Sequence, residues 1–284
     1  MLIGISGASG KLGQATLSEL KIRGAGERAV GITRSPQAVE GIAQSRLGDY
    51  DRPESLLHAY AGLERLLLIP SADLRPGVRG IQLKAAIDAA VQAGVAHIFL
   101  ISGSGTRAVA DNALNAGFWN GEQHLMKTAP KWTILRMNYY AESMAEEIMM
   151  SLDQGVLPRI GDEHVAYVSR DDLAAAAAAA GALLGEGRAG AIYNITGPAI
   201  VTGPEKAAIA SAAFGKPLQY AAISADQLGA GLKQAGLPAE VVEAVIEIKH
   251  TFIEGNFDIL TNDVQRLSGR VPKSLRDVLV SSKA

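Results

Sequence analysis

Cysteine is absent from all 284 residues, and that one absence excludes disulfides, thiol catalysis and thiolate–metal sites. No apolar run approaches the roughly 20 residues that a membrane-spanning helix requires. There is no block of lysine and arginine either, and the net charge is −2, so neither nucleic acid nor an anionic membrane surface is an expected partner. The five histidines show no metal-ligand spacing, which argues against a zinc or iron site. Met1 runs directly into an apolar strand, so no signal peptide is expected and the expected location is the cytoplasm. What remains is an ordinary globular balance, 48% hydrophobic and 20% charged. The length suits one Rossmann-type unit with an appended region, or two small domains.

The most informative stretch is residues 2–16. Leu2, Ile3 and Ile5 lead into Gly7-x-x-Gly10-x-x-Gly13, and a helix with Leu12, Leu17 and Leu20 on its inner side follows. A strand, a glycine-rich turn and a helix N-terminus in that order form a dinucleotide cradle. Gly7 permits the sharp turn, Gly10 lets the backbone approach a pyrophosphate, and Gly13 lets the helix pack closely on the strand. The unpaired N–H groups of the first helical turn then face the phosphates, so Gly7, Ser9, Gly10, Lys11, Leu12 and Gly13 form the expected cofactor cradle. A glycine triplet alone is weak; its place between a strand and a helix gives it meaning.

The same alternation continues. Strands are expected at Ala29–Thr33, just before Gly48, at Arg65–Ile69, at His97–Ile101, at Trp132–Arg136 and at Ala191–Ile195. Helices are expected at about Pro53–Ala61, Gly77–Ala93, Asn112–Thr128 and Tyr139–Leu152, and through the seven alanines Ala174–Ala180. This pattern predicts an α/β fold, a Rossmann-type doubly wound parallel sheet. The Met-rich helix after Tyr139 reads first as core, with a ligand-facing side left open. Beyond residue 196 helical stretches dominate, at Glu205–Phe214, Ala225–Gly236 and Ala239–Glu254. The expected division is therefore a nucleotide-binding domain over residues 1–150, with contributions from 151–196. A smaller, mainly helical C-terminal lobe over residues 197–284 is expected to close over the cofactor face.

Cofactor choice is read at the end of the second strand. An NAD site usually offers a carboxylate there for the ribose 2′-OH. This chain has Ile32-Thr33-Arg34-Ser35 instead. Arg34 suits a 2′-phosphate, with Thr33 and Ser35 as added hydroxyls and Lys11 as a second cation, so NADP(H) is the expected cofactor. The alternative is a solvated loop arginine. Asp49 and Tyr50 have two readings, an adenine pocket or a turn. Ile69, Pro70 and Ser71, then Ser102, and then the run from Arg136 to Tyr140 gather at the carboxyl ends of strands where ligands bind. The Tyr-x-x-x-Lys pair that relays a proton in hydroxyl-reducing enzymes of this class is absent. Its helix carries Phe118, Glu122, His124 and Lys127, of which His124 and Lys127 are alternative donors.

These motifs are Gly-Ala-Ser-Gly-Lys-Leu-Gly, Arg34-Ser35-Pro36, Gly48-Asp49-Tyr50, Leu135–Tyr140, Ser169–Ala174 and Leu275–Leu279. With them the chain resembles the NmrA-like atypical short-chain dehydrogenase/reductases, and most of all their bacterial branch of quinone and triphenylmethane reductases. The resemblance implies an NADP(H)-binding Rossmann domain, a small substrate lobe and a dispensable Tyr-x-x-x-Lys pair. It also implies that Tyr140 stands at the substrate-side strand end. The expected activity is hydride transfer to a quinone-like or other conjugated acceptor. Tyr140, Ser102 and Asn138 are the candidate catalytic residues, with Tyr140 the proton donor. A small-molecule acceptor is the expected partner, and a homodimer the candidate assembly. The rival reading is a non-catalytic redox sensor that binds the dinucleotide without turnover. A sugar-nucleotide epimerase is disfavoured, because epimerisation needs the missing tyrosine–lysine pair.

Overall fold

The computed structural model describes residues 1–39, 44–109, 115–183 and 189–282. Along the chain run β1 (Ile3–Ser6), α1 (Lys11–Ile22), β2 (Ala29–Thr33), β3 (Gln44–Leu47), α2 (Glu54–Tyr60), β4 (Arg65–Leu68) and α3 (Val78–Gln92). Then come β5 (His97–Gly103), α4 (Ala116–Thr128), β6 (Trp132–Met137), α5 (Ala141–Ser151), β7 (Val156–Ile160) and β8 (His164–Val165). These are followed by α6 (Arg170–Leu183), β9 (Ala191–Ile195), β10 (Val201–Thr202), α7 (Gly203–Phe214) and β11 (Gln219–Ile223). The last elements are α8 (Ala225–Gln234), α9 (Ala239–Ile253), α10 (Asp263–Ser268) and α11 (Leu275–Ser281). Of the helix expected from Asn112, residues 112–114 lie outside the described residues.

The chain divides into two compact units. One is built from Met1–Met137, Arg170–Ile195 and Asp263–Arg270, the other from Asn138–Ser169, Thr196–Asn262 and the stretch from Val271 onward. The division is not the single break near residue 196 that composition suggests. The second unit begins at Asn138, straight after β6, and the chain returns to the first for α6, β9 and α10. The contribution of α6 and β9 to the first unit matches the sequence expectation for 151–196, whereas the return of the short α10 leaves no mark in composition.

The first unit is a seven-stranded sheet in the order β3-β2-β1-β4-β5-β6-β9, with every pairing parallel. The strand order reverses between β1 and β4, which defines the switch point of a doubly wound fold. Central strands are covered on both faces, which is why β1, β4 and β5 read as apolar runs: Ile3, Ile5, Leu66, Leu67, Leu68, Ile98 and Leu100 are all buried. One edge strand, β3, is largely exposed, and its Arg46 caps the end of α2 by donating to the Ala59 and Ala61 carbonyls at 2.9 and 2.7 Å. The seven alanines of α6 are all buried, and α6 packs against α1 and α10. Small side chains allow that close approach, and alanine also has the best intrinsic helix propensity.

The second unit is mainly helical, with two small sheets that the sequence patterns did not reveal. β7 pairs in parallel with β11, and β8 antiparallel with β10. Three helices open on capping boxes, Thr202/Glu205 for α7, Ser224/Gln227 for α8 and Ser274/Asp277 for α11. The core reading of the Met-rich helix holds for Met144, which is buried, whereas Met149 and Met150 are exposed. The interior also holds charge. Glu147 pairs with Arg159 at 3.0 Å and with Lys249 at 2.7 Å, while Glu163 meets Lys206 and Arg159. Burial opposes the charge of Glu147, yet Lys249 and Arg159 hold its carboxyl below the usual carboxylate range. Burial, helped by the nearby charges of Arg159 and Lys249 and opposed by Glu163, draws Lys206 down to about 8.

Candidate functional site

The glycine loop is built by backbone contacts. Gly7 takes a φ of +83°, and its N–H and that of Ala8 both donate to the Ile32 carbonyl, at 2.9 and 3.1 Å, which locks the loop to the end of β2. Gly13 sits on the first turn of α1 where a Cβ would stand 2.3 Å from the Gly7 oxygen and 2.7 Å from the Ala8 Cα. Only glycine fits there, so the helix rests on the loop itself. Gly10 caps α1 with no side-chain hydrogen bond, leaving the positive end of the helix to backbone N–H groups. Ser9 and Thr33 join hydroxyls at 2.6 Å and tie the loop to β2 a second time.

In front of this loop, at the carboxyl ends of β1, β2 and β4, lies a cleft of about 420 Å³. That volume falls within the range of small-molecule and cofactor pockets. Gly7, Ser9, Gly10, Arg34, Asp49, Tyr50, Ile69, Pro70 and Ser71, all expected there from sequence, line it together. Lys11, Leu12, Gly13 and Ser102 are not among its lining residues. Leu12 is buried and Gly13 is pressed on the loop, whereas Lys11 is exposed at the first position of α1. Arg34 is exposed at the rim, and among the described residues its guanidinium meets no carboxylate.

Asp49 serves the turn. Its carboxylate accepts from the Asp51 N–H at 3.0 Å and from Arg52 at 3.4 Å, so the turn reading has structural support while the residue still lines the cleft. Tyr50 donates its hydroxyl to the Ile69 carbonyl at 2.9 Å, and burial pushes its phenol up to about 12. It is a fixed aromatic wall, protonated at any physiological pH.

Sequence reasoning missed the far wall. Gln82, on the inner side of α3, accepts from the Ser71 hydroxyl and donates to Asp51 at 2.8 Å. Asp73 also lines the cleft, and Arg75 beside it holds its carboxyl down to about 2. One signal was available: Gln82 is a polar residue next to Leu83 on the buried side of an amphipathic helix, a position that requires a hydrogen-bond partner.

The other candidates fare differently. Ser102 is fully buried at the end of β5, and its hydroxyl has no hydrogen-bond partner among the described residues. Asn138 is engaged within its own unit. Its amide nitrogen donates to the carbonyls of Phe257 and Ile259 at 2.9 and 3.5 Å, and its oxygen accepts from the Tyr139 N–H at 2.7 Å. The amide is consumed in holding the 257–259 segment and presents no free donor. Tyr140 caps α5 and bridges to Val168. His124 is paired with Asp88 of α3 at 2.6 Å on the surface, so its ring is a helix–helix contact. Glu122 is fully buried in a two-point pair with Arg136.

Among the described residues no group of three or more His, Asp or Glu side chains is arranged to hold a metal ion, and no helix is long and apolar enough to cross a membrane. The family described as NAD(P)H-binding matches residues 7–182. Quinone oxidoreductase 2 of Escherichia coli strain K12 is 30% identical over 246 residues, 84% of this chain and 83% of that protein. The structure of the Escherichia coli NADPH-dependent quinone oxidoreductase complexed with NADPH superposes with a TM-score of 0.91 at 27% identity over the full length of both chains. That of Citrobacter sp. triphenylmethane reductase gives 0.90 at 26% identity over 99% of each.

Proposed function

The chain belongs to the NAD(P)H-binding family, as an NmrA-like atypical short-chain dehydrogenase/reductase, and from that premise we propose that it is an NADPH-dependent reductase of quinone-like or other conjugated acceptors. The observation that carries the cofactor choice is the β2 end: it offers Arg34, which meets no carboxylate among the described residues, and the hydroxyl of Thr33 where an NAD site would place a carboxylate. The cradle fits the group. A loop on which Gly13 leaves no room for a Cβ presents bare backbone to a pyrophosphate, and the uncapped start of α1 supplies N–H donors and a positive dipole end.

When bound, reduced nicotinamide supplies a hydride to an electrophilic acceptor. The chain's own residues hold, orient and exclude water. Gly7, Ser9, Gly10 and the first turn of α1 take the phosphates, Arg34 with Thr33 takes the 2′-phosphate, and Tyr50 and Ile69 line the pocket wall. Ser102 has a hydroxyl with no partner among the described residues, suited to orienting a carbonyl. Tyr140 is the proposed proton donor; Tyr140→Phe with unchanged turnover removes it from that role.

The experiment is NADPH consumption by the purified protein across a quinone panel, with NADH in parallel. Turnover with NADPH well ahead of NADH is the expected result. Turnover favouring NADH keeps the reductase and overturns the Arg34 argument. Binding of NADPH without turnover overturns the reductase and puts the non-catalytic sensor in its place.

A further inference from the structure

We propose that Arg79 is the anion-binding group of the acceptor side, the residue that takes a negatively charged oxygen of the molecule receiving the hydride. The proposal rests on the reductase reading and deepens it by naming the charge its acceptor carries or acquires.

The position of Arg79 follows from two glycines. Helices α3 and α4 meet where Gly80 faces Gly117, so closely that a Cβ on Gly117 would lie 3.0 Å from the Gly80 nitrogen and 3.1 Å from the Arg79 Cβ. This approach sets Arg79 beside Phe118, with its guanidinium carbon 4.9 Å from the ring centroid. The Phe118 ring lies against the end of β5, 3.2 Å from where a Cβ on Gly103 would stand. On its other side Arg79 donates to the carbonyls of Ser71 and Asp73, at 3.1 and 3.3 Å, just past β4. The guanidinium therefore sits over the carboxyl ends of β4 and β5, next to the cleft that Ser71 and Asp73 line.

All of these partners are neutral. Among the described residues no carboxylate comes within ion-pair distance of Arg79, and the carboxylate of Asp73 is held by Arg75 at 2.5 Å. A half-buried charge is normally paired, and burial here lowers the guanidinium's pKa with only partial relief from Asp73. The chemistry that completes this site is an anionic oxygen, which an arginine fork binds by charge-assisted hydrogen bonds.

That oxygen has two sources. One is a carboxylate or sulfonate standing on the acceptor. The other arises in the reaction: the C4–H bond of reduced nicotinamide breaks, its hydride bonds to the quinone, and an electron pair moves onto a carbonyl oxygen. The resulting anion takes a proton from Tyr140, which recovers one from water, and the quinone gains the two electrons that nicotinamide loses.

The test uses anthraquinone-2-sulfonate and neutral 2-(hydroxymethyl)anthraquinone. Calorimetry on the NADP⁺-loaded protein gives their affinities, and steady-state kinetics with NADPH gives kcat and KM, for wild type, Arg79→Gln and Arg79→Lys. If a standing charge is bound, Arg79→Gln weakens the sulfonate about tenfold or more and the neutral acceptor less than about twofold, with Arg79→Lys between them. If the developing charge is bound, affinities hold and kcat falls about tenfold or more for both acceptors in Arg79→Gln, with partial recovery in Arg79→Lys. Arg79→Gln that shifts neither selectivity nor kcat overturns the proposal. So does parallel loss of both affinities together with NADP⁺ binding, which marks a structural role, and so does a wild type that binds neither anthraquinone. A wild type that binds the sulfonate through Arg79 but oxidises no NADPH keeps the anion site and sinks the reductase reading.

Discussion

The guanidinium of Arg136 closes on the carboxylate of Glu122 at two points, Nε to Oε1 at 2.9 Å and a terminal nitrogen to Oε2 at 2.6 Å. The pair joins α4 to the end of β6, on the helix where related folds carry the proton-relaying tyrosine and lysine. Glu122 is completely buried, and Arg136 is the cation that faces it. Here that helix bears a clamp in place of a relay. Removing one partner leaves a buried charge unmatched, at a cost of about 3–5 kcal/mol. Arg136→Met is expected to lower unfolding stability by about that much in urea titration, and Glu122→Leu combined with Arg136→Met to recover most of it.

Gly13→Ala adds a methyl group 2.3 Å from the Gly7 oxygen. The helix must lift off the loop, with a stability loss of about 1–3 kcal/mol. The expected sign of a lost cradle is that NADPH no longer raises the Tm of the variant, whereas it does so for wild type.

Arg34→Ala should weaken NADPH binding by about 10- to 100-fold, the range for a lost hydrogen bond to a charged group, and leave NADH binding unchanged. Fluorescence titration of the two cofactors separates them. Equal losses for both would assign Arg34 to the loop and not to the 2′-phosphate.

His97 gives the fold an acid-sensitive point. Burial, and next the charge of Arg65, holds its imidazole down to about 4, while its Nε2 lies 2.9 Å from the Thr133 hydroxyl. Between this value and the ordinary histidine range the unfolded chain binds a proton that the native chain does not, so stability rises with pH across that window and falls as pH drops through it. The loss at pH 4 relative to pH 7 is on the order of 2–3 kcal/mol from this group. Urea titrations at the two pH values should show it, and His97→Asn should remove that share of the difference.

Much of the first unit was legible because its signals are local. Apolar runs at β1, β4 and β5 mark strands covered on both faces, and Gly7, Gly10 and Gly13 mark a turn that only a loop-to-helix cradle needs. The small sheets of the second unit left no such mark. β8 and β10 are two residues each, too short for an alternation to register.

By itself the sequence determined the parallel sheet, the glycine cradle and the absence of an acid at the end of β2, since each depends on backbone conformation or residue type over a few neighbouring positions. Tertiary structure alone decided which polar groups are engaged. Gln82 finds Asp51 across 31 residues, and Asn138 is consumed by a carbonyl 119 residues away. Arg79 is set over the strand ends because two glycines let α3 and α4 meet there, and among the described residues no carboxylate pairs with it. Burial drives most polar groups to find a partner, and which partner each finds is fixed only when distant segments pack.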